Sequence, residues 1–320
     1  MRGSILTVGD STVDHFLSVN DREAELVCRL KHKECEVCFD YGEKIPIESL
    51  SDSFGGSALN CAVGFQKLAI DSSVSTFIGD DIEGKAILDY LKENKVGTAN
   101  VKTDQTTNQA TVLLYKNERT ILSYHKPRDY SLLKIDQSPW IYLASAGHGS
   151  DKLKKRILEL VASGSNIIFN PGSWELNNFD KFESIIKHCS IVILNRDEAR
   201  LAVEDTQDVK KQLDKIIKLG AKIAVITDGA AGAYISFLGN YFHQNSMMVK
   251  VVDTTGAGDA FAVGFCGGLI LGHSIEESAK WGIINSSSVI ETLGANAGQL
   301  DINEIEKRLK SFKILKFERI

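Results

Sequence analysis

The segment 253–261 joins a turn of small residues to the start of an apolar run. It reads Asp-Thr-Thr-Gly-Ala-Gly-Asp-Ala-Phe, and residues 261–270 continue as an apolar stretch typical of a buried helix. A small-residue turn at a helix start leaves backbone N–H groups free, and the helix dipole adds partial positive charge there. Because this combination holds anions, most often phosphate, the segment predicts a phosphate-binding helix N-terminus.

Asp259 is the unusual residue of this turn, because a carboxylate repels a phosphate bound beside it. Its presence is explained if the carboxylate takes a proton from a hydroxyl group that attacks the phosphate. An Asp at this place also serves as an N-terminal cap for the helix. The residues of the turn leave both interpretations open.

Short β-branched runs alternate with helical stretches along the rest of the chain. Strands are predicted at 5–8, 73–78, 141–143, 166–169, 191–194 and 223–226, and helices at 58–68, 151–163 and 206–219. This alternation predicts an α/β fold with a mostly parallel central sheet and helices on both faces. Ligands of such sheets bind beyond the carboxyl ends of the strands. The polar motifs from Asn170 onward each follow one of these strands directly.

Two segments interrupt the alternation. Residues 15–50 are mostly polar and charged, and they separate the first strand from the first helix. Residues 101–125 contain two strand-like runs, 109–115 and 120–124, joined by a hairpin-like turn. Such strands suit a small β-sheet standing off the core, and ordinary surface loops are the alternative.

Residues near the N-terminus are of types that can contact a polar ligand. Gly55 and Gly56 allow a close approach of the backbone to a ligand, and Asn60 offers both a donor and an acceptor on the first helical turn. Asp14 follows the first strand, and its carboxylate suits two vicinal hydroxyls; Asp10 is a competing candidate. A plain turn before a helix is the alternative for the glycine pair.

Together these motifs resemble the ribokinase-like (PfkB) family of carbohydrate and nucleoside kinases, from Ile5 to about Ala295. The resemblance implies Asp259 as the catalytic base. It implies an anion hole for the transferred phosphoryl group at Gly256, Ala257 and Gly258. It implies binding of substrate hydroxyls by Asp14, Gly55, Gly56 and Asn60.

The resemblance also implies sites for ATP and metal ions. Nucleotide binding is assigned to Asn195, Thr227, Gly229, Gly232 and Gly258. Glu198, in the motif Asn195-x-x-Glu198, is assigned to Mg²⁺ through water, and an N-capping box fits this pair equally well. A monovalent cation such as K⁺ is assigned to Asp253 and Thr255, with residues 285–295 completing its loop and the adenine pocket.

In this family a β-sheet lid closes over the substrate. The resemblance therefore implies a core of residues 1–14, 51–100 and 129–320 and a lid of residues 15–50 and 101–128. Lid sheets of the family can pair, so a homodimer through the lid is an open expectation. Arg119 and Arg128, in or near the lid, are candidates for neutralising a phosphate, with a solvated surface role as the alternative.

The composition disfavours several classes of protein. The net charge of −5 and the pI of about 5.9 argue against nucleic-acid partners. The longest apolar stretch, 260–271, is too short to span a bilayer. The strand at 5–8 leaves no room for a signal peptide before it, so we expect a cytoplasmic protein with no membrane partner.

The six cysteines fall into two groups. Three in apolar surroundings are predicted to be free core thiols: Cys61, Cys189 and Cys266. The others form a cluster with a histidine that the family resemblance does not explain. Its members, Cys28, His32, Cys35 and Cys38, are ligand types of a structural tetrahedral Zn²⁺ site. Local thiols without a metal are the alternative, and no disulfide framework is expected.

The function that these interpretations favour is ATP-dependent transfer of phosphate to a primary hydroxyl of a sugar, as in a ribokinase or fructokinase. A nucleoside kinase of the same fold is the alternative, with Tyr41, Tyr115 and Tyr124 as candidates for a base pocket. A catalytically silent sugar- or nucleotide-binding regulator is the alternative from another class, and the intact Asp259 counts against it. An oxidoreductase is disfavoured, since no Gly-x-Gly-x-x-Gly follows the first strand.

Overall fold

A ten-stranded sheet and a smaller four-stranded sheet organise the computed structural model, which describes residues 3–20, 22–29, 34–116, 118–203, 206–311 and 315–320. The strands are β1 Ser4–Val8, β2 Thr12–Ser18, β3 Glu25–Arg29, β4 Glu34–Cys38, β5 Ser49–Gly55, β6 Asp71–Gly79, β7 Gly97–Asp104, β8 Asn108–Tyr115, β9 Glu118–Tyr124, β10 Trp140–Leu143, β11 Asn166–Phe169, β12 Cys189–Asn195, β13 Ile223–Thr227, β14 Ala233–Phe237, β15 Asn240–Gln244 and β16 Phe317–Arg319. The α-helices are α1 Ser57–Lys67, α2 Ile82–Glu93, α3 Lys154–Ala162, α4 Ser173–Asn177, α5 Glu183–Ile186, α6 Arg196–Ala202, α7 Val209–Lys218, α8 Ala257–Ile270, α9 Ile275–Val289 and α10 Ile302–Ser311.

The large sheet is parallel over most of its width. Its order is β7-β6-β1-β10-β11-β12-β13-β14-β15-β16, and the strands from β7 to β13 run parallel. The last three strands extend it antiparallel. The predicted α/β class with a mostly parallel sheet is therefore confirmed.

Alternating residues of the central strands face two apolar layers. In β12, Ile191 and Ile193 pack into the layer that contains α1, α8 and α9, whereas Val192 and Leu194 pack into the opposite layer with α3, α5 and α7. Successive side chains of a strand point to opposite faces, so a continuous apolar run is what a strand covered on both sides requires. This explains why β12 reads as unbroken Ile-Val-Ile-Leu.

The small sheet has the order β5-β2-β8-β9, and the hairpin of β3 and β4 lies beside it in the chain. Strand β2 begins at Thr12, only four residues after β1, and β5 ends at Gly55 directly before α1. The strands of this sheet thus extend slightly outside the predicted segment 15–50. The predicted segment 101–128 also includes the end of β7, which belongs to the large sheet. That this sheet acts as a lid stays a prediction.

Several elements have no counterpart in the sequence prediction: β7, the antiparallel strands β14 to β16, and the helices α9 and α10. Strands β14 and β15 carry alternating polar residues, and α9 contains three consecutive serines, so neither has a strong apolar run. Among the described residues, no helix is long and apolar enough to cross a membrane.

Candidate active site

The N-terminus of α8 is built around two glycines with different roles. Gly256 caps the helix with φ of 78°, and a Cβ atom there would lie 2.6 Å from the Cα of Ala295. A side chain is therefore excluded by both conformation and space. At Gly258 no heavy atom outside the adjoining helix backbone lies within 4 Å of such a Cβ, so this residue borders open space. The amides of Gly258 and Asp259 have no intrahelical acceptor, as expected for the first turn of a helix.

Asp259 is buried on this first turn and is held by α1. The side-chain amide of Asn60 donates to Asp259 Oδ2 at 2.8 Å, and the thiol of Cys61 lies 3.9 Å from Asp259 Oδ1. Burial raises the pKa of Asp259, while the hydrogen bond from Asn60 acts in the opposite direction. A carboxylate with a raised pKa and supporting side-chain donors has the properties of a general base.

Asn60 is fixed in turn by two residues near the C-terminus. Asn296 Nδ2 donates to Asn60 Oδ1 at 2.9 Å and to the carbonyl of Phe54, and Gln299 Nε2 donates to the Asn60 carbonyl at 2.8 Å. Because the Asn60 oxygen accepts from Asn296, its NH₂ group is directed at Asp259. Sequence reasoning missed Asn296 and Gln299, since no local pattern signals a contact across more than 200 residues.

Asp14 lies against the glycine pair. A Cβ atom on Gly55 would lie 2.1 Å from Asp14 Oδ2, and Thr12 donates to Asp14 Oδ1 at 2.7 Å. Burial raises the pKa of Asp14, and the nearby charges of Asp253 and Asp259 raise it further. The predicted substrate-binding and catalytic carboxylates are thus close enough to interact electrostatically.

Asp10, the competing candidate, is engaged elsewhere. His125 Nδ1 lies 3.0 Å from Asp10 Oδ2, and the Tyr130 hydroxyl donates to Asp10 Oδ1 at 3.0 Å. The hydrogen bond to Asp10 raises the pKa of His125, which favours an ion pair. Asp10 therefore ties the end of β9 to the loop after β1.

A cavity of about 480 Å³ brings together four of the five predicted nucleotide-binding residues, and Asn195 does not border it. Gly258 borders it on one side, and Thr227, Gly229 and Gly232 border it on another. The remaining wall is largely apolar and comes from residues 246–249 and from α9, including Ile283, Ser286 and Ser287. An apolar wall beside a helix N-terminus suits a purine base with its phosphates. Asn285, inside the predicted adenine segment, is buried and bonded to Ala260 O and Leu300 N instead.

A second, larger cleft of about 840 Å³ lies between the small sheet and residues 251–254. Its charged side chains include Arg22, Lys116 and Arg119 together with Glu48 and Glu118. Val251 and Thr254 border both the cleft and the nucleotide-side cavity. Asp14, Asn60 and Asp259 do not border the cleft, which reaches the α8 turn through Asp253 and Thr254.

The predicted metal-binding residues are ordered by backbone groups. Asn195 Oδ1 accepts from the amides of Asp197 and Glu198, and Glu198 Oε2 accepts from Asn195 N at 2.7 Å. The capping box anticipated as an alternative is thus formed. Burial raises the pKa of Glu198, and the negative charge of Asp259 raises it further. A bound divalent cation would therefore offset the negative charge of these two carboxylates.

The loop assigned to a monovalent cation is closed by Asp253. Its Oδ1 accepts from the amide and hydroxyl of Thr255, and its Oδ2 accepts from Gly294 N at 3.1 Å. The amide of Val252 donates to Ile290 O at 2.7 Å, which joins the two segments predicted to share this site. Asp253 and Thr255 thus already stabilise the loop that leads into α8.

The cysteine cluster differs from the predicted zinc site. Cys28 and Cys35 face each other on β3 and β4 and form a disulfide, while Cys38 is exposed and free. His32 lies outside the described residues. Since two of the four predicted ligands are bonded to each other, this cluster is a cross-linked hairpin. The free core thiols predicted at Cys61, Cys189 and Cys266 are confirmed.

Glu175 is a buried carboxylate that sequence reasoning did not identify. Its Oε1 accepts from the amides of Ala146 and Gly147 and from the Ser150 hydroxyl at 2.6 Å, and its Oε2 accepts from Gly172 N at 3.1 Å. It holds the loop after β10 against α4. No recognisable sequence motif surrounds it.

Comparisons with known proteins agree with this architecture. A family model described as pfkB family carbohydrate kinase matches residues 23–302. An ATP-dependent 6-phosphofructokinase of Thermoanaerobacterium thermosaccharolyticum is 29% identical over 83% of this chain and 88% of that protein. Among solved structures, the Methanocaldococcus jannaschii nucleoside kinase has a TM-score of 0.80 at 20% identity, covering 97% of this chain and 99% of that one. The Arabidopsis thaliana ribokinase complexed with ribose and ATP has a TM-score of 0.79 at 20% identity with the same coverage.

Proposed function

The chain belongs to the pfkB family of carbohydrate kinases, and on this premise we propose that it transfers the γ-phosphoryl group of ATP to a primary hydroxyl of a sugar. The observation that carries the proposal is the buried Asp259 beside a glycine turn whose amides open toward a nucleotide-sized cavity. A silent binding protein has no need of a buried carboxylate at an anion-binding helix terminus.

The acceptor hydroxyl gives its proton to Asp259 as it attacks phosphorus. The raised pKa of Asp259 makes this carboxylate a stronger base than an ordinary Asp, and Asn60 holds it in one orientation. Negative charge on the moving phosphoryl group is stabilised by the amides of the Gly256–Asp259 turn and by the α8 dipole. Asp14 and the backbone of Gly55 and Gly56 hold the other hydroxyls of the substrate.

ATP occupies the cavity between β13 and α9, with Thr227, Gly229 and Gly232 near its phosphates. Glu198 would hold Mg²⁺ through water, and the ion would supply positive charge that neutralises the phosphate oxygens. The small sheet acts as the lid and limits access of water to the transferred group.

A nucleoside is the second candidate substrate. The cleft of about 840 Å³ is larger than a single monosaccharide needs, and Tyr115 borders it. The Tyr115 hydroxyl is already bonded to Ala24 O at 2.8 Å and the side chain is buried, so only a small part of its ring could contact a base. Tyr41 and Tyr124 are exposed outside this cleft.

The test is ATP turnover with Mg²⁺ and K⁺ against pentoses, hexoses, sugar phosphates and nucleosides, for wild type, Asp259→Asn and Asp71→Asn. We expect one class of acceptor to stimulate turnover, Asp259→Asn to lower kcat by about 10³-fold or more, and the exposed Asp71→Asn to match wild type. Binding of sugar and nucleotide without transfer to any acceptor would favour the silent regulator instead.

A further inference from the structure

Arg119 connects the small sheet to the segment that leads into the α8 turn. It lies on β9, and its Nη1 donates to Thr254 Oγ1, two residues before Gly256. Thr254 borders both the larger cleft and the nucleotide-side cavity. The guanidinium of Arg119 is thus placed where the two cavities meet.

The charge of Arg119 is not neutralised by the described part of the chain. Its side chain donates to the neutral hydroxyl of Thr254, and within the described ranges no carboxylate forms an ion pair with it. Glu48, Glu118 and Asp253 border the same cleft, but none of them lies within ion-pair distance of this guanidinium. A guanidinium stays charged at every physiological pH and presents a planar set of donors that matches phosphate.

Arg128, the other candidate arginine, already has protein partners for its guanidinium group. Its side chain is buried, its Nη1 donates to Asn108 Oδ1 at 2.7 Å, and its Nη2 donates to Thr106 O at 2.5 Å. Its Nε lies 3.5 Å from Asp104 Oδ2. Arg128 therefore anchors the crossing between the two sheets and has no freedom to reach a substrate.

We propose that Arg119 is a catalytic residue that contacts the phosphoryl group during transfer. This inference rests on the proposed kinase function. In the step, a bond forms between the acceptor oxygen and the γ-phosphorus, the bond from that phosphorus to ADP breaks, and the acceptor proton passes to Asp259. Arg119 takes no part in bond formation; its donors stabilise the negative charge shared by the equatorial oxygens.

A simpler role is that Arg119 only latches the small sheet to the core through Thr254. The two roles predict different activities for the same set of variants. Thr254→Val removes the latch and leaves the guanidinium, whereas Arg119→Ala and Arg119→Gln remove both. Under the catalytic role we expect Arg119→Ala to lower kcat by about 10²-fold or more with KM values changed only a few-fold, and Thr254→Val to lower kcat far less. Equal losses of kcat in Arg119→Ala and Thr254→Val would identify a latch and overturn the proposal.

Two further readouts separate catalysis from structure. Added guanidinium ion should restore part of the activity of Arg119→Ala, and tetramethylammonium should not. Affinity for ADP with Mg²⁺ and aluminium fluoride should fall in Arg119→Ala, while affinity for ADP alone stays the same. Thr120→Ala, the exposed neighbour on β9, is the matched control for each assay.

Wild-type turnover is measured first, because its absence overturns the kinase function and this inference together. If wild type transfers phosphate and Arg119→Ala keeps its kcat within threefold, the kinase function stands and the role of Arg119 is refuted.

Discussion

The side-chain amide of Asn60 donates a hydrogen bond to Asp259 across 2.8 Å. This contact joins the first turns of α1 and α8, which are 199 residues apart in sequence. Asn296 fixes the orientation of this amide by donating a hydrogen bond to Asn60 Oδ1. The residue proposed as the base is therefore oriented by a buried chain of amides, and its titration should respond to them.

The acid limb of the activity profile is the first prediction. Asp259 must be ionised to accept a proton, so kcat/KM should fall as the pH drops through the pKa of Asp259. Because burial raises this pKa, the fall should occur at a higher pH than the pKa of an ordinary Asp would give. Asn60→Ala removes a donor that favours the ionised form, so the limb should move to still higher pH. The measurement is kcat/KM against pH for both proteins.

Asn240→Ala, on β15, provides the control and should leave the limb unchanged. An acid limb at the position of an unperturbed Asp in wild type, or one unmoved by Asn60→Ala, would show that Asp259 does not govern the profile.

The two glycines of the α8 turn should respond oppositely to alanine. Gly256→Ala places a Cβ at positive φ and against Ala295, which we expect to cost about 1–3 kcal/mol of unfolding free energy. Gly258→Ala meets no atom within 4 Å and replaces a helical glycine, so stability should hold or rise slightly. Its methyl group enters the space proposed for phosphate, so phosphoryl transfer should fall sharply.

Urea unfolding and steady-state kinetics on both variants check this pair. The interpretation fails if Gly258→Ala retains full kcat/KM, or if Gly256→Ala is as stable as wild type.

Filling the nucleotide-side cavity should weaken ATP binding selectively. Ser286 is half-buried on α9 and borders the cavity, so Ser286→Phe should raise the Kd of a non-hydrolysable ATP analogue by about tenfold or more, because the ring occupies the space of the base. Calorimetric titration with the analogue and with the sugar measures the effect. Ser311→Phe, on the exposed end of α10, is the control, and equal weakening in both variants would argue against this cavity as the ATP site.

Glu175 should contribute to stability rather than to chemistry. Glu175→Ala leaves three amides and a hydroxyl without the acceptor that the buried carboxylate provides, so we expect a loss of about 3 kcal/mol in unfolding free energy. Glu175→Gln keeps one oxygen acceptor and should lose less. Denaturant unfolding compares both with the exposed Glu159→Gln; a change below 0.5 kcal/mol for Glu175→Ala, on the scale of a neutral surface substitution, would contradict the assignment.

The amino-acid sequence by itself determined the α/β class and the places where chemistry is concentrated. Apolar runs such as Ile191–Leu194 predict buried strands because only a strand covered on both faces tolerates them. The turn at Gly256–Asp259 predicts an anion site because its backbone geometry is local. Such signals lie within a few residues, so they can be read without the fold.

The tertiary structure alone decided what surrounds those motifs. Contacts such as Asn296 with Asn60, or Arg119 with Thr254, join residues more than 100 positions apart, and no local propensity encodes them. The structure likewise gave Asp10 and Asp14 different bonding partners, and it did the same for Arg128 and Arg119. Burial and bonding partners depend on the packing of whole elements. It also paired Cys28 with Cys35, where the sequence leaves a zinc site and local thiols without a metal as alternatives.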